Sequence, residues 1–261
     1  MKKIISNKDK IFFEKYGFLI INNFFSKAQI DKLKKTALDL SRLKYENNIE
    51  PDKVKINKNS KSKSPLQLCN VWKSNSKFKK IILNKNLGKI AVELTGWKGV
   101  KICQDSLFVV PPTCGGVGMH QDISYQDWHS PGKIITCYVM ISEINLKSSG
   151  IQYLSGSHVS KKTKPIKNFF NRKFKSNISN KKFKIHKVIG KPGTIVFHHS
   201  NIWHGSDVNN SSKNRLTFSI HLMPSNSKFR DKVNHPQFSK YKLNNSLKMI
   251  NSFFPTIFQK K

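Results

Sequence analysis

Acidic residues are scarce in this chain, and so are arginines. Its 261 residues include 14 Asp and Glu against 48 Lys and Arg, a formal net charge of +34, and only four of those cations are arginines. Such a charge suits a nucleic acid, an anionic membrane or a polyphosphate as partner. Lys, Asn, Ile and Phe are abundant together, however, and all four have A/T-rich codons. A genome rich in A and T therefore accounts for the charge without a functional role.

Cysteines are few, and long apolar runs are missing. The four cysteines (Cys69, Cys103, Cys114 and Cys137) show no CxxC spacing, which excludes zinc-ribbon and dithiol redox motifs and predicts reduced thiols. No apolar run approaches the roughly 20 residues of a membrane span, and the amino end lacks the apolar core of a signal peptide. These absences predict a cytoplasmic protein without membrane insertion. No heptad or apolar stripe indicates an oligomeric state.

The amino-terminal third carries the helical signals. An apolar run at residues 18–21 predicts a short strand, and Ser26 with Gln29 forms a capping box that predicts a helix over 27–43. Residues 45–64 are polar, rich in lysine and without periodicity, so a mobile surface loop or lid is expected there. A second helix is predicted over 77–95.

From residue 99 onward the chain changes to short β-rich runs separated by Pro and Gly turns. The predicted strands span 100–110, 133–142, 150–154, 184–189, 194–198 and 215–222. The expected fold is mainly β with supporting helices, with a double-stranded β-helix (jelly-roll, cupin-like) core. We expect a single domain over 1–261, in which residues 1–98 are a helix-rich support and 99–224 the jelly roll. Residues 225–261 are expected to be a basic extension, either an appended helix or a partly ordered tail.

Two histidines and an aspartate have the spacing of a metal site. His120 and Asp122 are two residues apart, so on extended backbone both side chains emerge on one face. His204 follows 82 residues after Asp122 and ends a β-rich run. This layout is that of the facial triad of two histidines and one carboxylate, which leaves positions open for non-haem Fe(II) oxygen chemistry. The same ligand types are compatible with a zinc hydrolase.

Arg215 separates these alternatives. It stands eleven residues after His204, at the start of a predicted strand, in a chain in which lysine outnumbers arginine eleven to one. A flat, two-pronged grip on a carboxylate requires a guanidinium group. Arg215 therefore indicates a site for the distal carboxylate of 2-oxoglutarate, which a zinc hydrolase would leave unexplained.

Several sequence blocks together resemble the phytanoyl-CoA dioxygenase family of Fe(II)/2-oxoglutarate oxygenases. The resemblance runs from about Phe12 to Pro224. It rests on the sequence blocks YGFLI, SLF with the following double proline, MHQD, GIQYLSGSH and HGS, together with Asn209 and Arg215. The resemblance implies that His120, Asp122 and His204 bind Fe(II), and that Arg215, assisted by Ser206, holds 2-oxoglutarate, with Tyr138 nearby.

The implied activity is hydroxylation of a small molecule, with O2 and 2-oxoglutarate consumed and succinate and CO2 released. Asp122 favours hydroxylation, because halogenating relatives need a vacant site where this carboxylate binds. The lysines leave room for an anionic or carrier-tethered substrate. Residues 125–129 are candidates for the substrate mouth, with ordinary loop packing as the alternative. The lysine-rich stretch Lys161–Lys191 is either a solvated loop or an attractor for an acidic substrate.

Two other functions are compatible with the sequence. A nucleic-acid demethylase suits the charge, but that branch is expected to have a second arginine where His221 stands. A catalytically degenerate jelly roll that binds an anionic polymer, such as nucleic acid, through its lysines is the non-enzymatic alternative. Among the neighbouring histidines, His198 and His199 are expected to point to opposite faces of their strand, and His158 is expected to be a turn residue.

Overall fold

The computed structural model describes residues 4–56, 64–167, 169–171, 183–233 and 235–260. Four α-helices lie in these ranges: α1 (Asn7–Tyr16), α2 (Lys27–Ser41), α3 (Ser76–Ile82) and α4 (Lys85–Thr95). Within the described ranges, no helix has the length and apolar composition that a membrane crossing requires.

Helix α2 begins at the capping box that the sequence predicts. Ser26 accepts a hydrogen bond from the Gln29 backbone, and the Gln29 side chain accepts one from the Ser26 backbone. Its buried face packs into the main apolar core. The predicted second helix is in fact two, because Asn84 has extended backbone and caps α4 by accepting from the Asn86 N–H. Asparagine is among the preferred N-cap residues, so a single apolar pattern spans two short helices here.

Fifteen strands lie in the described ranges. They are β1 (Phe18–Ile21), β2 (Lys53–Ile56), β3 (Leu66–Cys69), β4 (Gly99–Val110), β5 (Gly116–Val117), β6 (His129–Ser130), β7 (Ile135–Met140), β8 (Ile151–Leu154), β9 (Phe170–Asn171), β10 (Ile185–Lys187), β11 (Ile195–His199), β12 (His204–Ser206), β13 (Arg215–Pro224), β14 (Lys228–Phe229) and β15 (Thr256–Gln259). The six predicted strands are therefore present.

The strands form a jelly-roll core of antiparallel sheets. The major sheet has the order β1-β11-β7-β13-β4-β3-β2, with β15 also pairing with β4, and a minor sheet has the order β10-β8-β12. Two smaller ladders join β14 to β6 and β5 to β9. The predicted jelly-roll fold is confirmed.

The major sheet has one apolar face and one largely polar face, because side chains alternate along each strand. On β13, Leu216, Phe218, Ile220 and Leu222 belong to the main apolar core, against which the helices pack. The intervening residues of β13 line a cavity on the other face. A second apolar cluster, which includes Phe18 and Tyr153, fills the space between β8 and the major sheet.

Two expectations about the periphery are wrong. Residues 57–63 of the predicted 45–64 loop lie outside the described ranges, and residues 53–56 are not a loop, because β2 pairs with β3 at the edge of the major sheet. In its described part, the carboxy-terminal extension is neither an α-helix nor a partly ordered tail, and it contains two short 3-10 helices, Ser239–Tyr241 and Leu243–Asn245. Its aromatic residues Phe238 and Phe254 pack with Trp128, and β15 pairs with β4. Large buried aromatic side chains hold this segment against the barrel.

A buried ion-pair cluster joins the β2 region to the carboxy-terminal extension. The carboxylate of Asp52, next to β2, accepts hydrogen bonds from Lys73, Lys240, Asn70 and the hydroxyl of Tyr241. Its side chain is only 6% exposed. Burial raises the pKa of Asp52, but the bonds from Lys73 and Tyr241 outweigh burial and leave the pKa below its ordinary value.

Candidate functional site

The structure brings His120, Asp122 and His204 together. Their potential ligand atoms all lie within 4.8 Å of one another, and all three residues are buried. His120 and His204 face each other because their backbone N–H and C=O groups form two hydrogen bonds of 2.9 Å. Gln121 has extended backbone, which carries the Asp122 side chain to the same side as His120 before a 3-10 turn begins.

Backbone contacts orient both imidazole rings. The Nδ1 atom of His120 is 2.8 Å from the Gly118 carbonyl oxygen, and Nδ1 of His204 is 2.9 Å from the Ile202 carbonyl oxygen. A carbonyl can only accept, so each Nδ1 carries a proton, and the neutral form of each ring presents its lone pair at Nε2. Both Nε2 atoms lie 3.5 Å from the same oxygen, Oδ1 of Asp122. Two imidazole nitrogens and one carboxylate oxygen thus converge, and this donor set fits a divalent transition metal.

The second oxygen of Asp122 is held by the protein. Its Oδ2 accepts a hydrogen bond of 2.6 Å from Thr136 and lies 3.0 Å from Nε2 of His198. His221 also approaches, with its Nδ1 2.8 Å from the Thr136 hydroxyl oxygen. The His198 ring is in turn fixed by the hydroxyl of Tyr153, 2.8 Å from its Nδ1. This arrangement leaves Oδ1 as the oxygen available to a metal ion.

The electrostatics of this cluster favour an ionised Asp122. Burial alone would raise the pKa of this carboxyl, but His204, His221, His120 and His198 together hold it well below its ordinary value. Burial and the other histidines lower the pKa of His198 to about 3, despite its contact with Asp122. The two facing histidines shift oppositely, because Asp122 raises the pKa of His204 while burial and repulsion from His204 lower that of His120.

Arg215 lies in the same cavity and is almost fully buried. Its Nη1 donates to the carbonyl oxygens of Ser148, Ser149 and Asp207, and its Nη2 donates to the Ser206 hydroxyl at 3.0 Å. Ser206 also accepts from the Val117 N–H. Since Nη1 is occupied by backbone carbonyls, an incoming carboxylate would meet the Nη2 and Ser206 side of the guanidinium. Burial lowers the pKa of Arg215, although a guanidinium stays protonated.

Tyr138 lines the cavity near Arg215. It is 6% exposed, and burial raises the pKa of its phenol, which opposes the lowering effect of Arg215. All six residues predicted from the sequence therefore border one cavity of about 200 Å³ on the inner face of the major sheet.

Of the other candidate residues, some line the cavity and some lie outside it. His198 and His199 do point to opposite faces, with His198 against Asp122 and His199 outside the cavity, beside His158. His158 is a turn residue whose Nε2 contacts the Glu14 carbonyl. Of residues 125–129, Tyr125 lines the cavity, while Trp128 packs in the carboxy-terminal aromatic cluster.

The lysine-rich stretch is only partly described. Residue 168 and residues 172–182 lie outside the described ranges, and none of the described lysines between 161 and 191 lines the cavity. Among the described lining residues, the lysine is Lys53, which is exposed at the cavity mouth.

Several residues that line the cavity are not among the site residues predicted from the sequence. They are Gln67, Gln104, Thr136, Thr217, Ser219, His221, His235 and Gln237. The sequence pattern of β13 could have predicted three of these residues. The segment Arg215–Pro224 alternates strictly between polar and apolar residues from 215 to 222, which places Thr217, Ser219 and His221 on the face of Arg215.

A comparison with protein families decides the affiliation of this chain. The family profile described as "Phytanoyl-CoA dioxygenase (PhyH)" matches residues 13–217. The chain belongs to the phytanoyl-CoA dioxygenase family. The resemblance of its sequence blocks is thereby confirmed over most of their extent. No curated protein matches the sequence significantly.

Solved structures of this fold include enzymes that use iron and 2-oxoglutarate. The epimerase SnoN, in complex with Fe3+, alpha ketoglutarate and nogalamycin RO, aligns with a TM-score of 0.77 at 12% identity, over 96% of this chain and 98% of SnoN. The carbocyclase SnoK from nogalamycin biosynthesis aligns with a TM-score of 0.73 at 16% identity, over 98% and 97% of the two chains. EctD from S. alaskensis, with 2-oxoglutarate and 5-hydroxyectoine, gives 0.73 at 19% identity, over 87% and 78%. These similarities establish the shared fold.

Proposed function

We propose that this protein is an Fe(II)- and 2-oxoglutarate-dependent dioxygenase that hydroxylates a small-molecule substrate. The observation that carries the proposal is the presence, in one buried cavity, of the His120, Asp122 and His204 donor set and of the Arg215 guanidinium. A metal site alone is compatible with hydrolysis. A buried arginine in the same cavity is what a dicarboxylate cosubstrate requires.

His120, Asp122 and His204 would hold the iron, and Arg215 with Ser206 would hold the distal carboxylate of 2-oxoglutarate. Bound together, iron and 2-oxoglutarate supply the activation of O2, in which one oxygen atom enters succinate, CO2 is released and the other enters the substrate C–H bond. The chain's own residues orient the ligands through the Gly118 and Ile202 carbonyls and neutralise the cosubstrate carboxylate.

Hydroxylation is the outcome favoured by the complete ligand set. Asp122 fills the third ligand position, so the position that a halide would need is taken by a carboxylate. The same ligands argue against a degenerate jelly roll that merely binds an anionic polymer. The structural neighbours include an epimerase and a carbocyclase, so the fate of the substrate needs its own measurement.

The first test is an anaerobic titration of the purified apoprotein with Fe(II) and 2-oxoglutarate, monitored by the visible charge-transfer absorption of a chelated 2-oxo acid. We expect the band in the wild type, its loss in His120→Ala, and a much weaker affinity for 2-oxoglutarate in Arg215→Ala. His199→Ala is the matched control, because His199 lies on the same strand as His198 but outside the cavity, and it should retain the band.

A folded wild type that gives no band, or that binds iron independently of His120, would overturn the oxygenase proposal. Hydroxylation is tested with isotopically labelled O2 once a substrate turns over. Label in the product supports a hydroxylase, whereas an oxidised or rearranged product without label would replace hydroxylation with another reaction of the same centre.

A further inference from the structure

Three glutamines line the cavity. They are Gln67 on β3, Gln104 on β4 and Gln237 in the carboxy-terminal segment. Gln104 lies directly opposite His221 in the pairing of β4 with β13, and Nδ1 of His221 is 3.6 Å from Oδ2 of Asp122. This glutamine wall therefore begins beside the metal ligands, where a substrate must lie if it is to react.

Two of these side chains have a carbonyl oxygen that accepts no hydrogen bond from the described residues. The Nε2 atoms of Gln67 and Gln104 both donate to the Ser106 hydroxyl oxygen, at 3.1 and 3.2 Å. In the described part of the chain, neither Oε1 atom accepts a hydrogen bond. Both residues are partly exposed and line the cavity, so two carbonyl oxygens are available to a ligand that carries O–H or N–H groups.

Gln237 contributes an unused donor. The residue is only 6% exposed, and its Nε2 atom is buried without a hydrogen-bond partner among the described residues. Buried donors are nearly always paired in folded proteins, because an unpaired one forfeits its hydration. An acceptor atom on a molecule bound in the cavity would satisfy it.

Aromatic side chains line the cavity next to the glutamines, and Phe108 is the cross-strand neighbour of Gln67 in the pairing of β3 with β4. The Phe169 ring centroid lies 5.4 Å from that of His120 and 6.3 Å from that of Phe108, to which it is stacked. Tyr125 packs edge-on against the same Phe169 ring. A molecule bound against these residues would contact both apolar ring faces and carboxamides.

The charged side chains that line the cavity already have other roles or contact solvent. Asp122 belongs to the metal site and Arg215 to the cosubstrate, and Lys53 at the mouth is exposed to solvent. Among the described lining residues, Asp122 is the sole carboxylate, so a cationic substrate would find no counter-ion. Burying an unpaired charge is strongly unfavourable.

We propose that the substrate is an uncharged ring compound with adjacent hydroxyl groups. Its ring packs against Phe108 and Phe169, and its hydroxyls donate to Gln67 and Gln104 and accept from Gln237. This proposal rests on the dioxygenase function and specifies the substrate class of that site.

The test uses three probes that share one ring and differ in charge: neutral trans-cyclohexanediol with adjacent hydroxyls, cationic trans-aminocyclohexanol and anionic trans-hydroxycyclohexanecarboxylate. The anaerobic protein is loaded with Fe(II) and 2-oxoglutarate, and broadening of each probe's proton NMR lines by the iron is measured against Zn(II)-loaded protein. We expect the diol to be broadened at lower protein concentration than either charged probe. Binding is thus read without turnover.

Variants assign the effect to the glutamine wall. Gln237→Leu and Gln104→Leu should each weaken diol binding about threefold to tenfold, the worth of one hydrogen bond. Gln67→Glu should shift the preference toward the cationic probe. Gln259→Leu, an exposed glutamine on β15 outside the cavity, is the matched control and should bind the diol as the wild type does.

The charge-transfer band of iron and 2-oxoglutarate separates the two proposals. If the wild type lacks the band, the dioxygenase function is wrong, and the substrate proposal, which rests on that function, is wrong with it. If the band is present in wild type and variants, a preference for a charged probe, or diol binding unaffected by all three substitutions, overturns the neutral ring substrate alone.

Discussion

Asp122 shows how a single side chain is prepared for one role. Thr136 and His198 occupy one carboxylate oxygen, while the other faces the two Nε2 atoms of His120 and His204. A carboxylate that must serve two neighbours cannot rotate freely. The residues around it therefore determine which oxygen a metal ion meets.

Replacing Thr136 with valine tests this arrangement. Thr136→Val keeps the side-chain shape but removes the hydroxyl that donates to Asp122, and we expect Fe(II) affinity to fall by about 10-fold, as is usual for lost partners of metal ligands. The measurement is a competitive Fe(II) titration against a chelating dye. Thr36→Val is the control, because Thr36 is equally buried but lies on helix α2. Equal affinities for all three proteins would contradict the role of Thr136.

At the scale of elements, a glycine decides how the chain packs between α2 and the major sheet. Gly193 has φ of 89°, and a Cβ at this position would collide with the backbone carbonyl of Phe25. The Phe24 and Phe25 N–H groups also donate to the Gly193 carbonyl, so the two turns are locked together. Neither backbone can move without losing these bonds.

Gly193→Ala should therefore cost more stability than the left-handed backbone alone. Gly96 is the matched control, since its φ is 72° and no atom lies within 4 Å of the position of a Cβ. We expect Gly96→Ala to cost about 1 kcal/mol, which is the backbone penalty, and Gly193→Ala to cost clearly more. Urea unfolding measures both, and equal losses would show that the contact with Phe25 is relieved at no cost.

The Asp52 cluster fastens the carboxy-terminal segment next to β2, and it should make stability depend on pH. The pKa of Asp52 is lowered in the folded protein, so its contribution is complete above the unfolded pKa and disappears as pH falls through the folded pKa. We expect Asp52→Asn to lose about 2 kcal/mol at pH 7, as for hydrogen bonds to a charged group.

The difference from wild type should narrow below about pH 4, where unfolded aspartate becomes protonated. Denaturant unfolding at several pH values checks this trend. Asp31→Asn is the control, because Asp31 pairs with Lys27 on the exposed face of α2 and its loss should leave unfolding unchanged. A loss for Asp52→Asn that is constant with pH would contradict an electrostatic role.

At the scale of the whole molecule, 48 cations against 14 anions mean that the folded chain repels itself. Salt screens this repulsion, since the Debye length falls from about 30 Å at 0.01 M to about 10 Å at 0.1 M. We therefore expect the melting temperature to rise with NaCl concentration and then level off. Differential scanning calorimetry measures it, and a melting temperature that falls or stays constant over this range would contradict net repulsion.

How far the sequence predicts this molecule depends on how local each signal is. The capping box of Ser26, the strand runs and the His120, Asp122 and His204 pattern are readable because each depends on near neighbours or on a recognisable block. The contacts of Asp122 with Thr136 and His198 cannot be predicted from the sequence. They arise from the sheet order β11-β7-β13, which brings together residues from separate strands. The same holds for Gln237, whose segment is held against the barrel by aromatic residues such as Phe238, from a different part of the fold.

The alternation along β13 separates what this protein does from what keeps it folded. Leu216, Phe218, Ile220 and Leu222 support the barrel, while Arg215, Thr217, Ser219 and His221 border the chemistry. Substitutions at 217 and 219 can therefore change which molecule fits without removing a residue of the core. A lineage carrying this strand can explore new substrates by single mutations while its scaffold remains under separate selection.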